Sequence, residues 1–338
     1  MSESTAVKNL LKGGEFLVKD TNFMDVFTPE DLNEEQQMIV DSTVSFIESE
    51  ILPVYPRIEK QEPGLTESLL EKAGELGLLG LAIPEEYGGL GKDFNTNSLL
   101  VENMAKSRSF SLSLGAHIGI GTLPIVYFGN EQQKSHYLPK LASGELKACY
   151  CLTEPSSGSD ALGAKTTAVL NAEGTHYIVN GQKMWITNSG FADVFIVFVQ
   201  IDGNKFSALI LEKGMEGLTL GAEEAKMGIK GSSTRQVFLE NVKVPKENLL
   251  GEIGKGHLIA FNILNIGRYK LAAGVLGASK MAIEQAAKYA VERQQFKTPI
   301  ASFGAIQYKI AEMAVRTYAL QSSCYRASDM IDNKEKEL

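Results

Sequence analysis

The 338-residue sequence predicts an α+β fold in which a helical domain, a β domain and a partial helical bundle follow one another. Apolar residues recur at helical spacing in the first part, strand-like runs with Gly-rich turns follow from Ala148, and the helical period returns at His257. The expected divisions are a polar N-terminal extension at 1–34, a helical domain at 35–147, a β domain at 148–253 and an incomplete helical domain at 254–338.

The N-terminal helical domain is predicted from apolar periodicity and from its stop signals. Apolar residues between Met38 and Ile51 recur at helical spacing, and Pro53 ends the run. The stretch 112–130 is apolar and rich in small residues, which is typical of buried helices that pack closely. This part of the chain therefore reads as a bundle of buried helices.

The β domain is predicted from a change to a period of two. Cys149, Cys151 and Thr153 alternate with their neighbours as residues of a strand do. The pair Asn180-Gly181 separates two strand-like runs and predicts a two-residue hairpin turn. Three further apolar runs, at 194–199, 207–211 and 236–239, indicate buried strands.

The C-terminal part is predicted as long helices. The chain from His257 to about Arg293 has no proline, and as a helix it would be roughly 55 Å long. Each glycine in a helix interior costs about 1 kcal/mol relative to alanine. We therefore expect a neighbouring helix to approach closely at Gly267, Gly274 and Gly277, which share one face. A last helix shows a bundle seam of apolar positions between Ile306 and Cys324.

Composition excludes several classes of function. Lys and Arg total 33 against 41 Asp and Glu, a net charge of −8, and no basic block exists, so we expect no nucleic-acid partner. No run of about 18 uncharged, apolar residues predicts a transmembrane segment, and 1–19 lacks the apolar core of a signal peptide. Three cysteines and four histidines without paired spacing predict no metal site and no disulfide framework. A cytoplasmic location is expected.

The densest polar cluster is the tract from Tyr150 to Asp160. A strand leads into small hydroxyl residues and a glycine, so main-chain N–H groups and hydroxyls are able to converge on a polar or anionic ligand. An ordinary Asx or Ser turn is the alternative.

A second cluster contains Trp185, the one tryptophan of the chain. Thr187 follows two residues later, so both side chains are expected on one face of a strand. An aromatic plate beside a hydroxyl suits a planar heteroaromatic cofactor, through stacking and one hydrogen bond. A tryptophan packed at a sheet corner is the alternative. The adjacent acidic residues Glu223 and Glu224 are interpreted as a solvated turn.

Together the two clusters resemble the acyl-CoA dehydrogenase family. The similar segments, in chain order, are Pro84–Gly91, Cys151–Asp160, Asn180–Asn188, Met227–Gly228, Val244–Asn248 and Arg293–Phe296 with Phe303 and Gln307. The resemblance runs from about Leu32 to Ile331, and Phe261–Arg268 is most similar to the very-long-chain branch. It implies α,β-desaturation of fatty acyl-CoA thioesters with FAD, and electron-transfer flavoprotein as acceptor.

The resemblance also implies roles for individual residues. Tyr150, Cys151, Leu152 and Thr153 would lie along the isoalloxazine, Ser159 would reach the pyrophosphate or pantetheine, and Trp185, Ile186 and Thr187 would pack beside the ring. Asn265 and Arg268 would face the thioester. Arg293, Phe296 and Gln307 would hold the adenosine half of the neighbouring subunit's FAD, which implies a homodimer or homotetramer. Lys297 is a departure, because the family often has glycine there.

The catalytic base is the residue that the matched positions do not provide. In the family it is usually a glutamate in a Glu-Gly-Thr tract near the C-terminus, so we expect it beyond Leu338 and leave the catalytic residue unknown. Glu173-Gly174-Thr175 lies between strands and is a false match, and Gly267 occupies the alternative position on the long helix. Residues 1–338 alone are then not expected to desaturate acyl-CoA at a normal rate. A non-catalytic flavin- or CoA-binding scaffold and an acyl-CoA oxidase are the alternative functions.

Overall fold

A computed structural model describes residues 31–332; residues 1–30, which make up most of the predicted extension, and residues 333–338 lie outside it. Helices precede and follow a β domain in the described part, as the sequence predicts. The helices are α1 (Glu34–Phe46), α2 (Tyr55–Ile58), α3 (Leu65–Glu75), α4 (Phe94–Met104), α5 (Ser109–Ala116), α6 (Leu123–Phe128), α7 (Glu131–Ser143), α8 (Gly256–Glu292) and α9 (Gly304–Asp332). The strands are β1 (Ala148–Cys151), β2 (Thr167–Leu170), β3 (His176–Thr187), β4 (Val194–Ile201), β5 (Lys205–Glu212), β6 (Leu218–Leu220), β7 (Thr234–Pro245), β8 (Leu249–Leu250), β9 (Gln294–Gln295) and β10 (Thr298–Pro299).

The first helices pack around an apolar core that includes Phe46, Leu70 and Phe110. A capping box between Asn33 and Gln36 starts α1, because each side chain accepts a hydrogen bond from the other's main-chain N–H. The expectation that no uncharged, apolar run of about 18 residues occurs is wrong. Ser109–Phe128 contains no Asp, Glu, Lys or Arg, its most apolar 18-residue window has a mean hydropathy of 1.4, and by length and composition alone it is able to cross a membrane. Since 72% of its most apolar window is buried, it forms part of the helical core.

The β domain is built on β4, which has β5 on one edge and both β1 and β2 on the other. The sheet order is β6-β7-β3-β2-β4-β5-β8, with β1 beside the first half of β4. Successive residues of β4 enter two different cores: Phe198 packs toward α7 and α8, and Val199 packs inside the β domain. The sheet therefore has no solvent face at its centre.

The hairpin predicted at Asn180-Gly181 is wrong. Strand β3 runs unbroken through this pair. It is antiparallel to β7 from His176 to Thr187 and to β2 from Tyr177 to Asn180. The pairing with β7 shifts by one residue between Val179 and Gly181, which marks a β-bulge. A side chain at Gly181 would sit 2.7 Å from the Cα atom of Thr166, so the glycine is required by a close backbone approach and not by a turn.

The long helix is confirmed as α8, which packs against α4 and α9. The expected close approach occurs at Gly277, where an added Cβ would overlap the carbonyl oxygen of Glu102. The other two glycines have room, since the nearest atoms to an added Cβ are Val101 Cγ1 at 3.8 Å for Gly274 and Ile120 Cγ2 at 3.6 Å for Gly267. One of the three predicted contacts therefore fixes the helix spacing.

Candidate functional site

The two polar clusters of the sequence lie side by side where β1 ends. The main-chain N–H of Met184 donates to the carbonyl of Thr153 at 2.8 Å, and the Lys183 ammonium donates to the carbonyl of Leu152 at 3.3 Å. These bonds tie the end of β1 to the second half of β3. Tracts 30 residues apart in sequence thus form one surface.

Trp185 occupies a β-bulge on that surface. Lys183 pairs with Val237 and Ile186 pairs with Arg235, so two residues of β3 lie opposite one residue of β7. Trp185 has a φ of +57°, in the left-handed region that bulky residues rarely adopt. Its side chain is 61% exposed, whereas that of Ile186 is 2% exposed and that of Thr187 is half-buried. The bulge replaces the simple alternation that the sequence predicts and presents the indole to solvent.

The residues of β1 divide between the two faces of the sheet. The Tyr150 hydroxyl donates to the carbonyl of Ala260 on α8 at 3.4 Å, and burial raises its pKa. The Cys151 thiol is fully buried, 3.8 Å from that of Cys149. Cys151 and Ile186 both pack inside the β domain, so their side chains do not reach the surface. Ser159 is exposed on the loop that follows.

Asn188 is a residue that sequence reasoning missed. Its Nδ2 donates to the carbonyl of Ser113 in α5 at 2.8 Å, and its main-chain N–H donates to the carbonyl of Ser233 at 2.9 Å. The side chain is fully buried and the residue has a φ of +68°. Asn188 therefore fastens the end of β3 to the helical domain. An asparagine directly after the strand that ends at Thr187 was the available signal for a left-handed residue there, because asparagine tolerates that backbone conformation.

Two of the predicted substrate residues lie together on α8. The Arg268 guanidinium donates from Nη1 to Asn265 Oδ1 at 2.6 Å, one turn earlier, and both residues are exposed. The helix reaches the β domain through Ala260, which accepts the Tyr150 bond. The structure therefore places a paired amide and guanidinium on the helix that packs against β1.

Arg293, Phe296 and Gln307 form a separate, exposed group beyond the end of α8. Phe296 and Lys297 have φ values of +51° and +62° and make the two-residue turn between β9 and β10. The Phe296 side chain is 90% exposed, and Gln307 Nε2 donates to the carbonyl of Ala301 at 2.9 Å. Arg293 lies 25 residues after Arg268, about 37 Å along a helix. Glycine is favoured at such left-handed turn positions, one of which Lys297 occupies here.

Local contacts show the surroundings of two further acidic segments. Glu173-Gly174-Thr175 lies in the turn between β2 and β3, as interpreted, because the Gly174 N–H donates to the Asn171 carbonyl at 3.0 Å. The interpretation of Glu223 as part of a solvated turn is wrong. Its carboxylate accepts from Ser233 Oγ and Arg235 Nε, each at 2.6 Å. Partial burial opposes ionisation of Glu223, but these bonds outweigh it and lower its pKa. No metal-binding cluster occurs among residues 31–332.

Comparison with known proteins identifies the family of the chain. The sequence matches the models of the acyl-CoA dehydrogenase N-terminal domain at residues 33–145, middle domain at 149–242 and C-terminal domain at 254–337. The chain belongs to the acyl-CoA dehydrogenase family. The three-domain fold expected from the resemblance is confirmed by these matches and by solved structures.

Individual members of the acyl-CoA dehydrogenase family are close to this chain. A probable acyl-CoA dehydrogenase of Bacillus subtilis is 59% identical over 322 residues, covering 95% of this chain and 54% of the relative. The human very long-chain specific acyl-CoA dehydrogenase is 44% identical over 268 residues, covering 76% and 41%. An acyl-CoA dehydrogenase from Bacillus anthracis, solved in complex with FAD, superposes with a TM-score of 0.95 at 58% identity, covering 97% and 56%. The chain thus spans about half the length of these relatives.

Proposed function

We propose that the protein is an FAD-dependent acyl-CoA dehydrogenase that desaturates long-chain fatty acyl-CoA thioesters in β-oxidation. One observation carries the proposal: a β-bulge exposes the indole of Trp185 beside Thr187, on the surface where Thr153 at the end of β1 is hydrogen-bonded to β3. Family membership and the FAD of the Bacillus anthracis relative support it.

The side chains on this surface fit a flavin. An isoalloxazine needs an aromatic face for stacking and hydrogen-bond partners at its polar edge. The exposed Trp185 indole provides the face, and the half-buried side chains of Thr153 and Thr187 provide hydroxyls. The chemistry that FAD would supply is acceptance of the hydride that leaves the substrate β carbon, while a carboxylate base takes the α proton. The residues of this chain would hold the ring and exclude water around it, and Asn265 and Arg268 would orient the thioester.

An open strip along α5 and the π-helical turn that follows it, His117–Gly121, supports a long acyl chain. Gly115 and Gly119 lie one helical turn apart, and an added Cβ at either position would have no atom within 4 Å. Gly119 itself is buried. Gly267 of α8 faces this region, because its nearest neighbour is Ile120 Cγ2 at 3.6 Å. An apolar channel between α5 and α8 is the place we propose for the acyl tail.

A dye-reduction assay with short-chain and long-chain acyl-CoA tests this proposal. Ferrocenium reduction is measured with butyryl-CoA and palmitoyl-CoA on the protein expressed from the complete reading frame that contains residues 1–338. The variants are the parent, Gly119→Leu and, as a control, the exposed Gly228→Leu. We expect Gly119→Leu to lose at least about tenfold in kcat/KM with palmitoyl-CoA, because the side chain would fill the channel. The control should match the parent. A parent that binds FAD but turns over no acyl-CoA would favour the scaffold, and O₂ consumption matching dye reduction would favour an oxidase.

Assembly and electron transfer complete the proposal. The exposed group Arg293, Phe296 and Gln307 is about 37 Å of helix away from Arg268, so we propose that it binds the FAD of a neighbouring subunit in a homodimer or homotetramer. A stable FAD-bound monomer in light scattering would contradict this. Electron-transfer flavoprotein is the proposed acceptor, tested by its reduction in place of the dye.

The cytoplasm is the proposed location. The three cysteines are all unpaired thiols, as expected in a reducing compartment. Fractionation of cells that express the protein tests it, and recovery with an extracellular fraction would be evidence against it.

A further inference from the structure

A buried ion pair lies directly beneath the surface that carries the two polar clusters. Glu154 Oε1 is 2.7 Å from Lys183 Nζ, and the two side chains are 4% and 0% exposed. Glu154 follows Thr153, and Lys183 precedes Trp185 by two residues. The ion pair therefore lies under the residues that we assign to the flavin and connects them. Because both side chains are buried, solvent does not screen the attraction between the two charges.

The carboxylate of Glu154 also closes the loop that contains Ser159. Its Oε1 accepts from the N–H and the hydroxyl of Thr166 at 3.1 and 2.6 Å, and its Oε2 accepts from the N–H of Lys165 at 2.6 Å. The main chain of Glu154 is paired with that of Ser157 by two bonds of 3.0 and 3.1 Å. One residue thus fixes both ends of the loop 155–164.

Lys183 fixes the other cluster. Its ammonium donates to the carbonyl of Leu152 as well as to Glu154, and the β-bulge that exposes Trp185 begins immediately after it. Burial lowers the pKa of Lys183, and Glu154 opposes that shift. A well-packed apolar pair would serve stability equally well, since desolvating two charges offsets most of their attraction. An apolar pair, however, would not make the hydrogen bonds that hold the loop 155–164 and the end of β1 in place.

We propose that Glu154 and Lys183 are positioning residues for FAD: the buried pair sets the distance between the loop 155–164 and the Trp185 bulge, between which the flavin binds. The inference rests on the proposed function, because it takes the flavin site from there. Neither side chain is exposed, so each acts through its neighbours.

The experiment measures FAD affinity and unfolding in parallel. The variants are Glu154→Gln, Lys183→Met and the double variant, with Lys280→Met as the control. Lys280 pairs with the buried Glu102 at 2.6 Å and joins α8 to α4 outside this surface. FAD affinity is read from the quenching of flavin fluorescence, and ring environment from the fine structure of the flavin absorbance band.

The expected results separate positioning from stability. Removal of both charges should return the urea midpoint of the double variant toward that of the parent. Its FAD affinity should remain at least about tenfold weaker, because one amide oxygen replaces a carboxylate that accepts from Lys165 and Thr166. Lys280→Met should lower the urea midpoint and leave FAD affinity and the absorbance band unchanged.

Two results would overturn this inference and leave the proposed function standing. The first is a double variant that binds FAD as tightly as the parent and has the same absorbance band. The second is a loss of FAD affinity that follows the urea midpoint in every variant, including Lys280→Met. A parent protein that binds no FAD would overturn the proposed function and this inference with it. Lys183→Met leaves a buried carboxylate without its counter-ion and is expected to be unstable. The double variant avoids this problem, so its FAD affinity decides the test.

Discussion

The Nδ1 atom of His117 accepts a hydrogen bond from the main-chain N–H of Ala148 at 3.1 Å, which joins the π-helical turn after α5 to β1. Nε2 lies 2.9 Å from the carbonyl of Leu141, so it carries the proton of a neutral ring. The imidazole is fully buried, and this burial lowers its pKa to about 4.

We predict that His117 makes the protein sensitive to acid. The folded pKa of about 4 lies below the unfolded value, so the stability is complete above about pH 6.5 and falls as pH decreases toward 4. The loss over this window is about 3 kcal/mol. His117→Gln keeps an acceptor and a donor without titrating, and should flatten this part of the curve of unfolding free energy against pH. The exposed His136→Gln should behave like the parent; identical curves for both variants would contradict the prediction.

Lys270 should destabilise the protein at neutral pH. Its ammonium is buried, without a hydrogen-bond partner among the described residues, and burial lowers its pKa to about 8. A lowered lysine pKa penalises folding fully below pH 8, and the penalty disappears as pH rises toward about 10.5. Lys270→Met should therefore raise the free energy of unfolding at pH 7 by up to about 3 kcal/mol. Denaturant titration at pH 7 and pH 10 checks this, and a variant less stable than the parent at pH 7 would refute it.

The spacing between α8 and α4 should depend on one glycine. Gly277→Ala would place a methyl group against the Glu102 carbonyl oxygen and should lower the free energy of unfolding by about 1–3 kcal/mol. Gly274→Ala, one turn away with its nearest contact at 3.8 Å, should gain up to about 1 kcal/mol from helix propensity. Thermal unfolding of both variants measures the difference, which should have opposite signs; equal effects would argue against close packing at Gly277.

Flavin binding should depend on the Trp185 indole and not on the backbone that carries it. Trp185→Ala should weaken FAD binding by more than about 1 kcal/mol, roughly fivefold. Trp185→Gly should weaken it similarly while stabilising the fold, because glycine favours the φ of +57°. The exposed Tyr318→Ala on α9 is the control for loss of an aromatic side chain. Co-purification of undiminished yellow flavin with either Trp185 variant would show that the indole is not part of the site.

Periodicity was sufficient to predict the order of the domains and the extent of α8, because both depend on apolar pattern over many residues. It failed at Asn180-Gly181, where a two-residue signal for a turn competed with a close approach by Thr166, a residue distant in sequence. A glycine required by such a contact looks the same in sequence as one required by a turn.

The site was predicted in part for the same reason. Trp185 and Thr187 stood out by residue type, but the left-handed bulge that exposes the indole arises from pairing with β7. The Glu154–Lys183 pair was missed because its two residues are 29 positions apart and read as ordinary members of a loop and a strand. Only their burial reveals that the charges meet.

Because all three cysteines are buried, the folded protein should be unreactive toward thiol reagents. Cys149, Cys151 and Cys324 are each at most 4% exposed, and burial raises the thiol pKa of Cys149 and Cys324, which suppresses the reactive thiolate. A cysteine introduced at the exposed Ser159 would then be the one thiol that a maleimide dye reaches in the native state. Such a label needs no removal of native cysteines, and its fluorescence would report the arrival of a ligand at this loop in real time.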